Sequence, residues 1–376
     1  KKIRYLKGVK SMDKLVAGFG EVMLRLSPGG KKRFSQALPG VLEATFGGAE
    51  ANVCASLAML GGKSRYLTSL PGNPVGRACA SELAGLGVDV SAIHFTEGGR
   101  MGVYYAEHGS NMRGSAVVYD RAGSVISELA PEAYNFEQML NGVDHLHLSG
   151  ITPALSENAF KTTLALAEYA VKSNIAISID LNFRKKLWNW SPGVAQRELA
   201  HRCMRQLVKL ADVIIGNEED ASDVFGIKSE GSAPVSGKLN TAGYREVAAR
   251  LSAEFPKAKY IAITLRESVS ADHNNWGGLL YDCGADKIYY APVSTDGSYA
   301  PYELRDIVDR FGGGDSFCAG LIFAMYTKEL SAPERMIRFA VASSALKHTI
   351  SGDYNRVSRS EVENLMGGVA SGRVSR

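Results

Sequence analysis

Three glycines run directly into an aspartate in Phe311-Gly312-Gly313-Gly314-Asp315, and Phe317, Leu321, Ile322 and Met325 follow at the spacing of a buried helix face. Glycine lets the backbone come close to a bound anion, while the free N–H groups and positive dipole end of a helix stabilise negative charge. The segment reads as an anion hole with a carboxylate at its rim that is able to take a proton. An aspartate at a helix start also serves as a cap, and that role needs no ligand.

Two further glycine patterns carry less. Gly18-Phe19-Gly20 opens like a dinucleotide-binding turn, but its third glycine would be residue 23, which is Met23. Gly62-Lys63-Ser64 ends like a phosphate-binding loop, but its first glycine would be residue 57, which is Leu57. His145 and His147 present two nitrogens on one strand face, yet nothing nearby completes a metal site, and a structural role is expected. Cys54, Cys79, Cys203, Cys283 and Cys318 are odd in number and never in Cys-x-x-Cys spacing, which argues for buried free thiols rather than disulfides or zinc.

The elements that must position these groups follow from periodicity. Residues 14–20 form a short apolar run, and Val53, Leu57 and Leu60 repeat at helical spacing. Residues 21–46 and 101–126 alternate polar with apolar and predict two separated β segments of one small sheet. From His145 onward strand and helix patterns alternate, which argues for a parallel sheet with helices on both faces and ligands beyond the carboxyl ends of its strands. Those ends read Gly20-Glu21, Ser149-Gly150, Asp180-Leu181-Asn182, Asn217-Glu218 and Thr264-Leu265-Arg266, and together they are expected to line one cleft. Ser229 to Asn240, rich in Ser and Gly, is expected to be an exposed loop.

With 376 residues, 45% of them hydrophobic, the chain can bury one large core. A net charge of +4, from 43 basic against 39 acidic residues, is too balanced to argue for nucleic acid, so the partner is expected to be small. No apolar run approaches the roughly 20 residues of a membrane span, and no secretory signal is visible, which points to the cytoplasm and to no membrane partner. Lys1 to Lys10, ahead of Met12, read as a leader or tag remnant.

The sequence resembles the ribokinase-like (PfkB) carbohydrate kinases at both ends. Phe311-Gly312-Gly313-Gly314-Asp315 stands where the family has Thr-Gly-Ala-Gly-Asp, and the Ala-to-Gly exchange leaves the backbone role intact. The amino-terminal signature is matched by Phe46-Gly47-Gly48-Ala49-Glu50-Ala51-Asn52-Val53, then Leu57-Ala58-Met59-Leu60-Gly61 and Gly72-Asn73-Pro74-Val75-Gly76. The likeness runs from Met12 to about Met366. It implies a three-layer α/β/α domain with a mostly parallel central sheet (residues 12–20, 47–100 and 127–376) and a small β-sheet lid (21–46 and 101–126), with 1–11 as the remnant.

It also implies roles. Asp315 would be the base, and the N–H groups of Gly312, Gly313 and Gly314 the anion hole for the γ-phosphate of ATP. The family's Asn-x-x-Glu, which organises magnesium through water, appears as Asn217-Glu218-Glu219-Asp220, with the shorter Asp220 in the last place. Thr264-Leu265-Arg266 stands for Thr-Leu-Gly beside the nucleotide, where Arg266 could reach phosphate; Asn182 joins the ATP-binding group. Within the family the chain most resembles 2-keto-3-deoxygluconate kinases, through residues 47–52, 118–121, 180–184 and 309–315. Carried over, Gly48, Asn52, Tyr104, Tyr119, Arg121 and Arg184 would contact substrate, and Asp353 falls near a further substrate aspartate. Two arginines suit a sugar carboxylate, because a guanidinium offers it a planar pair of donors.

The implied reaction is ATP-dependent phosphorylation of 2-keto-3-deoxygluconate at its terminal hydroxyl, giving the 6-phosphate, with Mg2+ and with room for a monovalent cation and for a homodimer through the lid. A kinase for fructose or a related keto sugar acid, and a non-catalytic sugar sensor, are the alternatives. Arg121 as a solvated lid residue and Arg184 as a nucleotide contact are the bland readings of those side chains.

Overall fold

The computed structural model describes residues 12–217, 219–228 and 241–368. The expected leader, Glu218 and the Ser229–Asn240 loop lie outside the described residues.

The fifteen described strands are β1 Leu15–Phe19, β2 Met23–Ser27, β3 Glu43–Gly47, β4 Lys63–Leu67, β5 Ser69–Pro71, β6 His94–Thr96, β7 Val103–Glu107, β8 Ala116–Asp120, β9 His145–Ser149, β10 Ala176–Asp180, β11 Val213–Asn217, β12 Tyr260–Ser270, β13 His273–Asp282, β14 Lys287–Ala291 and β15 Tyr302–Leu304. Nine form the main sheet in the order β14-β13-β12-β11-β10-β9-β1-β4, with β15 beside β13. From β4 to β12 all neighbours are parallel, the arrangement expected from alternating strands and helices. The hairpin strands β13, β14 and β15 extend the sheet antiparallel.

Both faces of this sheet are covered, and the strands show it residue by residue. Ala17, Phe19, Ile214, Ile261 and Ile263 enter one apolar layer, with Leu166 and Ala170 of helix Glu157–Lys172 and Leu199, Cys203 and Leu207 of helix Gln196–Val208. Their strand neighbours Val16, Val213, Ile215 and Ala262 enter the opposite layer, with Val53 and Leu57 of helix Ala49–Met59, Phe317 and Leu321 of helix Gly313–Met325, and Phe339 of helix Pro333–Lys347. Strands buried on both sides read as continuous apolar runs, as β11 does with Val213, Ile214 and Ile215.

His145 and His147 lie in β9 without exposure, and the Ser178 hydroxyl bonds His145 Nε2 at 2.7 Å and His147 Nδ1 at 2.8 Å. His145 Nδ1 meets the Tyr326 hydroxyl at 3.0 Å. Burial pulls the two imidazoles down to about 4 and about 3, so both are neutral at physiological pH: they are satisfied core histidines. All five thiols are free; Cys283 is half-buried, because β13 ends where it leaves the core.

A second sheet, β3-β2-β7-β8, packs over the carboxyl ends of the main strands. In β2, Met23, Arg25 and Ser27 share the buried face, so this short strand aims an arginine into the protein. The main sheet changes direction at β1, whose chain continuation β4 lies on one side and β9 on the other. Such a switch point opens a crevice at the strand ends.

Candidate active site

The crevice holds a cleft of about 430 Å³ lined by the ends of β1, β10, β11 and β12, by the second sheet and by the start of helix Gly313–Met325. Of the strand ends expected to meet there, Glu21, Asp180, Asn182, Asn217, Thr264 and Arg266 line it. Ser149 does not: its hydroxyl turns inward and donates to the buried Glu50 carboxylate at 2.7 Å.

The helix begins at Gly313, capped by Gly312 in the left-handed region with φ 76°. A Cβ at Gly312 would also stand 2.1 Å from the Asp353 carbonyl oxygen, so space and conformation both require glycine. Ser316 N–H and hydroxyl donate to the Gly312 carbonyl, and the Ser344 hydroxyl donates to that of Gly313 at 2.6 Å. With its carbonyls tied back, the loop presents helix-start N–H groups that have no intrahelical partner.

Asp315 is the third residue of this helix and does not cap it. Its Oδ2 accepts from Asn52 Nδ2 at 2.7 Å, and Asn52 Oδ1 accepts from Gly48 N–H at 3.3 Å. The start of helix Ala49–Met59 thus clamps the carboxylate in place. Gly48 is required there because a Cβ would meet the Glu21 carbonyl at 2.1 Å. Burial raises Asp315 to about 6, against the pull of Asn52, while one side stays open to the cleft. A carboxylate so poised can accept a hydroxyl proton near neutrality.

Gly48, Asn52, Tyr104, Tyr119, Arg121, Arg184 and Asp353 all line the same cleft, but Asn52, Tyr104, Arg121 and Asp353 already have side-chain partners. Arg121 Nε donates to Glu21 Oε2 at 2.7 Å, and Nη2 of the same guanidinium closes on that oxygen. Ser124 holds the other Glu21 oxygen at 2.6 Å. Arg121 is therefore a half-buried residue oriented by Glu21 rather than a solvated one. The Tyr104 hydroxyl donates to Asp353 Oδ1 at 2.7 Å, and Arg25 Nη1 reaches the same oxygen at 2.7 Å. Arg184 stays exposed in the loop after β10, its Nη1 on the Phe183 carbonyl at 3.2 Å.

At the ends of β10 and β11, Asp220 accepts from the N–H groups of Asn217 and Phe183, at 2.9 and 3.0 Å. Asn217 Oδ1 accepts from Glu219 and Asp220 N–H. Their best acceptor directions are spent, which suits contact with a metal through water. Asp180 lies beside them, raised well above the usual carboxylate range by burial, then by Asp220 and Asp315. Asp180 is therefore held neutral beside the ionisable Asp220, and the described residues hold no cluster of three or more His, Cys, Asp or Glu that would bind a metal unaided. Arg266 and Arg310 close the far end of the cleft; Arg310 Nη2 bonds Asn274 Oδ1 at 2.9 Å, and burial, then Arg266, lowers its pKa.

Several cleft-side residues escape a reading of the sequence. Arg25 has Asp309 Oδ2 at 2.9 Å as a second buried partner, stacks on Phe311 at 4.6 Å, and donates to His108 Nε2 at 2.8 Å. Its signal was available: a charged residue in phase with Met23 and Ser27 in an alternating strand. Lys347, the last residue of its helix, is fully buried, and nothing in the sequence separates it from an ordinary helix-end lysine.

A doubly wound domain with an anion hole, a clamped carboxylate and a covering sheet has the anatomy of a small-molecule kinase. Residues 13–254 match the sequence model of the pfkB family carbohydrate kinases, and the chain belongs to that family. It is 37% identical to a 2-dehydro-3-deoxygluconokinase from Thermotoga maritima, with a TM-score of 0.84 covering 95% of this chain and 99% of that one. A PfkB family carbohydrate kinase from Listeria grayi is 30% identical, with a TM-score of 0.81 over 94% of this chain and all, 100%, of that one. Among curated sequences, a 2-dehydro-3-deoxygalactonokinase from Haloferax volcanii is 29% identical over 350 residues, 93% of this chain and 96% of that protein. The chain is a carbohydrate kinase, and ATP is the phosphoryl donor of its family. Among the described residues no helix is long and apolar enough to cross a membrane.

Proposed function

We propose that this kinase transfers the γ-phosphoryl group of ATP to the terminal hydroxyl of 2-keto-3-deoxygluconate, giving the 6-phosphate. The observation that carries the reading is the placement of Asp315 on one cleft with Arg184, whose exposed guanidinium can meet a sugar carboxylate, while Arg121 is held at the same cleft by Glu21. The names of the similar proteins from Thermotoga maritima and Haloferax volcanii support a keto-deoxy sugar acid over a neutral sugar.

Asp315 takes the hydroxyl proton as the oxygen attacks, and the Gly312–Gly314 N–H groups stabilise charge on the transferring group. Asn52 orients the base; Gly48, Tyr104, Tyr119 and Asp353 shape the sugar pocket. Asn182, Asn217, Thr264 and Arg266 serve the nucleotide. Magnesium held on the ATP phosphates supplies charge neutralisation, and Asp220 with Asn217 would hold its water shell. The second sheet acts as a lid that excludes water from the reacting groups.

We place the reaction in the cytoplasm, with its ATP supply. The exposed Leu38, Val41 and Val118 on and beside the lid support pairing of two copies there, which sedimentation would detect.

The test is ADP release with magnesium and ATP across 2-keto-3-deoxygluconate, 2-keto-3-deoxygalactonate, fructose, ribose and gluconate. Highest kcat/KM on 2-keto-3-deoxygluconate supports the proposal. Preference for the galactonate epimer keeps the acid sugar and corrects its stereochemistry, preference for fructose refutes the arginine argument, and no turnover refutes the reaction.

A further inference from the structure

Lys347 is the least expected charge in the molecule. It shows 0% exposure, and its Nζ donates to the backbone carbonyl of Ile350 at 3.1 Å. A lysine almost never gives up its hydration completely unless fixed negative groups replace the water. Burial lowers its pKa and Arg25 adds to that, while Asp309, Asp353 and Asp315, none of them within ion-pair distance, act at longer range to keep the ammonium form.

Its location gives that charge a purpose. The side chain runs directly behind the anion hole, and a Cβ built on Gly312 would touch Lys347 Cε at 3.4 Å. The same patch holds the buried Asp309 and Asp353, both paired with Arg25, and the half-buried Asp315. Arg25 alone leaves this group two negative charges in excess, at the spot where a transferred phosphoryl group must bring more. His108 offers no relief, since burial lowers its pKa and Arg25 donates to its Nε2.

We propose that Lys347 is a built-in monovalent cation: its ammonium, fixed behind Gly312, holds the anion-hole loop in its working shape and offsets the carboxylates that would repel the phosphoryl group. It is a positioning residue, acting through the loop without touching substrate. This rests on the assignment of Gly312–Gly314 and Asp315 to phosphoryl transfer, but not on which sugar is the acceptor. A protein that carries this cation covalently has no need of a dissolved one.

The experiment measures ADP chromatographically, with no potassium-dependent coupling enzyme, using whichever sugar gives turnover. Failure of the substrate assignment therefore stays separate from failure of this inference. For the unmodified protein, kcat is expected to be the same in potassium, sodium and tetramethylammonium salts. Lys347→Ala, which opens room for an ion, is expected to lose about 100-fold in kcat in tetramethylammonium, the scale of losing one oxyanion donor, with KM values little changed. Ammonium or potassium is expected to restore kcat about tenfold, a shift of about 1.4 kcal/mol. Thermal unfolding and ATP binding report whether the variant is folded, and Lys347→Met, which fills the space, is expected to lose kcat without rescue. Potassium activation of the unmodified protein overturns the proposal. So does a folded Lys347→Ala with normal kcat, or one whose loss no monovalent cation relieves. If neither variant folds, the cation response of the unmodified protein decides: indifference supports the proposal and activation refutes it.

Discussion

Replacing Asp315 by asparagine separates the catalytic role of this carboxylate from its cost to the fold. Burial raises its pKa from 3.8 to about 6, and the base must be ionised to work. The kcat/KM of the unmodified protein is therefore expected to fall with unit logarithmic slope below about pH 6 and to be flat above it. The same shift makes the folded state hold this proton more tightly than the unfolded chain does. Stability contributed by the group is then full below pH 3.8 and is lost as pH rises through about 6. Two units at about 1.36 kcal/mol each set an upper limit of about 3 kcal/mol on the cost at neutral pH, reduced in practice by the side open to the cleft. Asparagine keeps the shape, carries no charge, and can offer its amide oxygen to Asn52. Asp315→Asn is expected to lose about 10²- to 10⁴-fold in kcat with ATP affinity nearly unchanged. Its thermal midpoint is expected to rise by several degrees at neutral pH, with the gain shrinking toward about pH 4. ADP release against pH, calorimetric ATP titration and thermal unfolding at several pH values read all three. Near-normal turnover would remove Asp315 from the chemistry, and a lowered midpoint at neutral pH would refute the electrostatic account.

Arg25→Met leaves Asp309 and Asp353 without their closest cation and is expected to cost about 3–5 kcal/mol in denaturant unfolding; a loss below about 1 kcal/mol would mean that Lys347 compensates both. Gly312→Ala meets both a φ of 76° and the Asp353 carbonyl, so kcat is expected to collapse while the distant core, followed by hydrogen exchange, stays protected. Arg184→Ala is expected to lower kcat/KM for an acidic sugar by one to two orders of magnitude, about 1.5–3 kcal/mol, and for fructose far less; equal losses would assign it to the nucleotide. Ser178→Ala strips the hydroxyl shared by His145 and His147 and is expected to cost about 1–3 kcal/mol of stability with kcat unchanged, since the trio lies in the sheet away from the cleft.

Much of the site is legible in the sequence because phosphate binding is a local problem. A run of glycines before a helix makes its own anion hole, and the polar ends of β10, β11 and β12 follow apolar runs that only a buried parallel sheet explains. What escapes is whatever depends on a partner far along the chain. Arg25 meets Asp353 across 328 positions, and no periodicity encodes that pairing. Arg121 reads as a free substrate ligand until Glu21, 100 positions earlier, is found against it. Ser149 reads as a cleft residue by its place after a strand, yet Glu50 turns it inward.

By itself the sequence determined the alternation of strands and helices, the glycine loop with its aspartate, and the family to which those patterns belong, because each is written in neighbouring residues whose backbone preferences are local. The tertiary structure decided which charges are buried and with whom. Only the folding of the second sheet onto the strand ends brings Arg25 to Asp309 and Asp353, and only the packing of the helix that ends at Lys347 puts an ammonium behind Gly312. Desolvation makes those placements matter: a charge that costs nothing in water must find its counterpart once water is excluded, and that counterpart is set by the fold rather than by the order of residues.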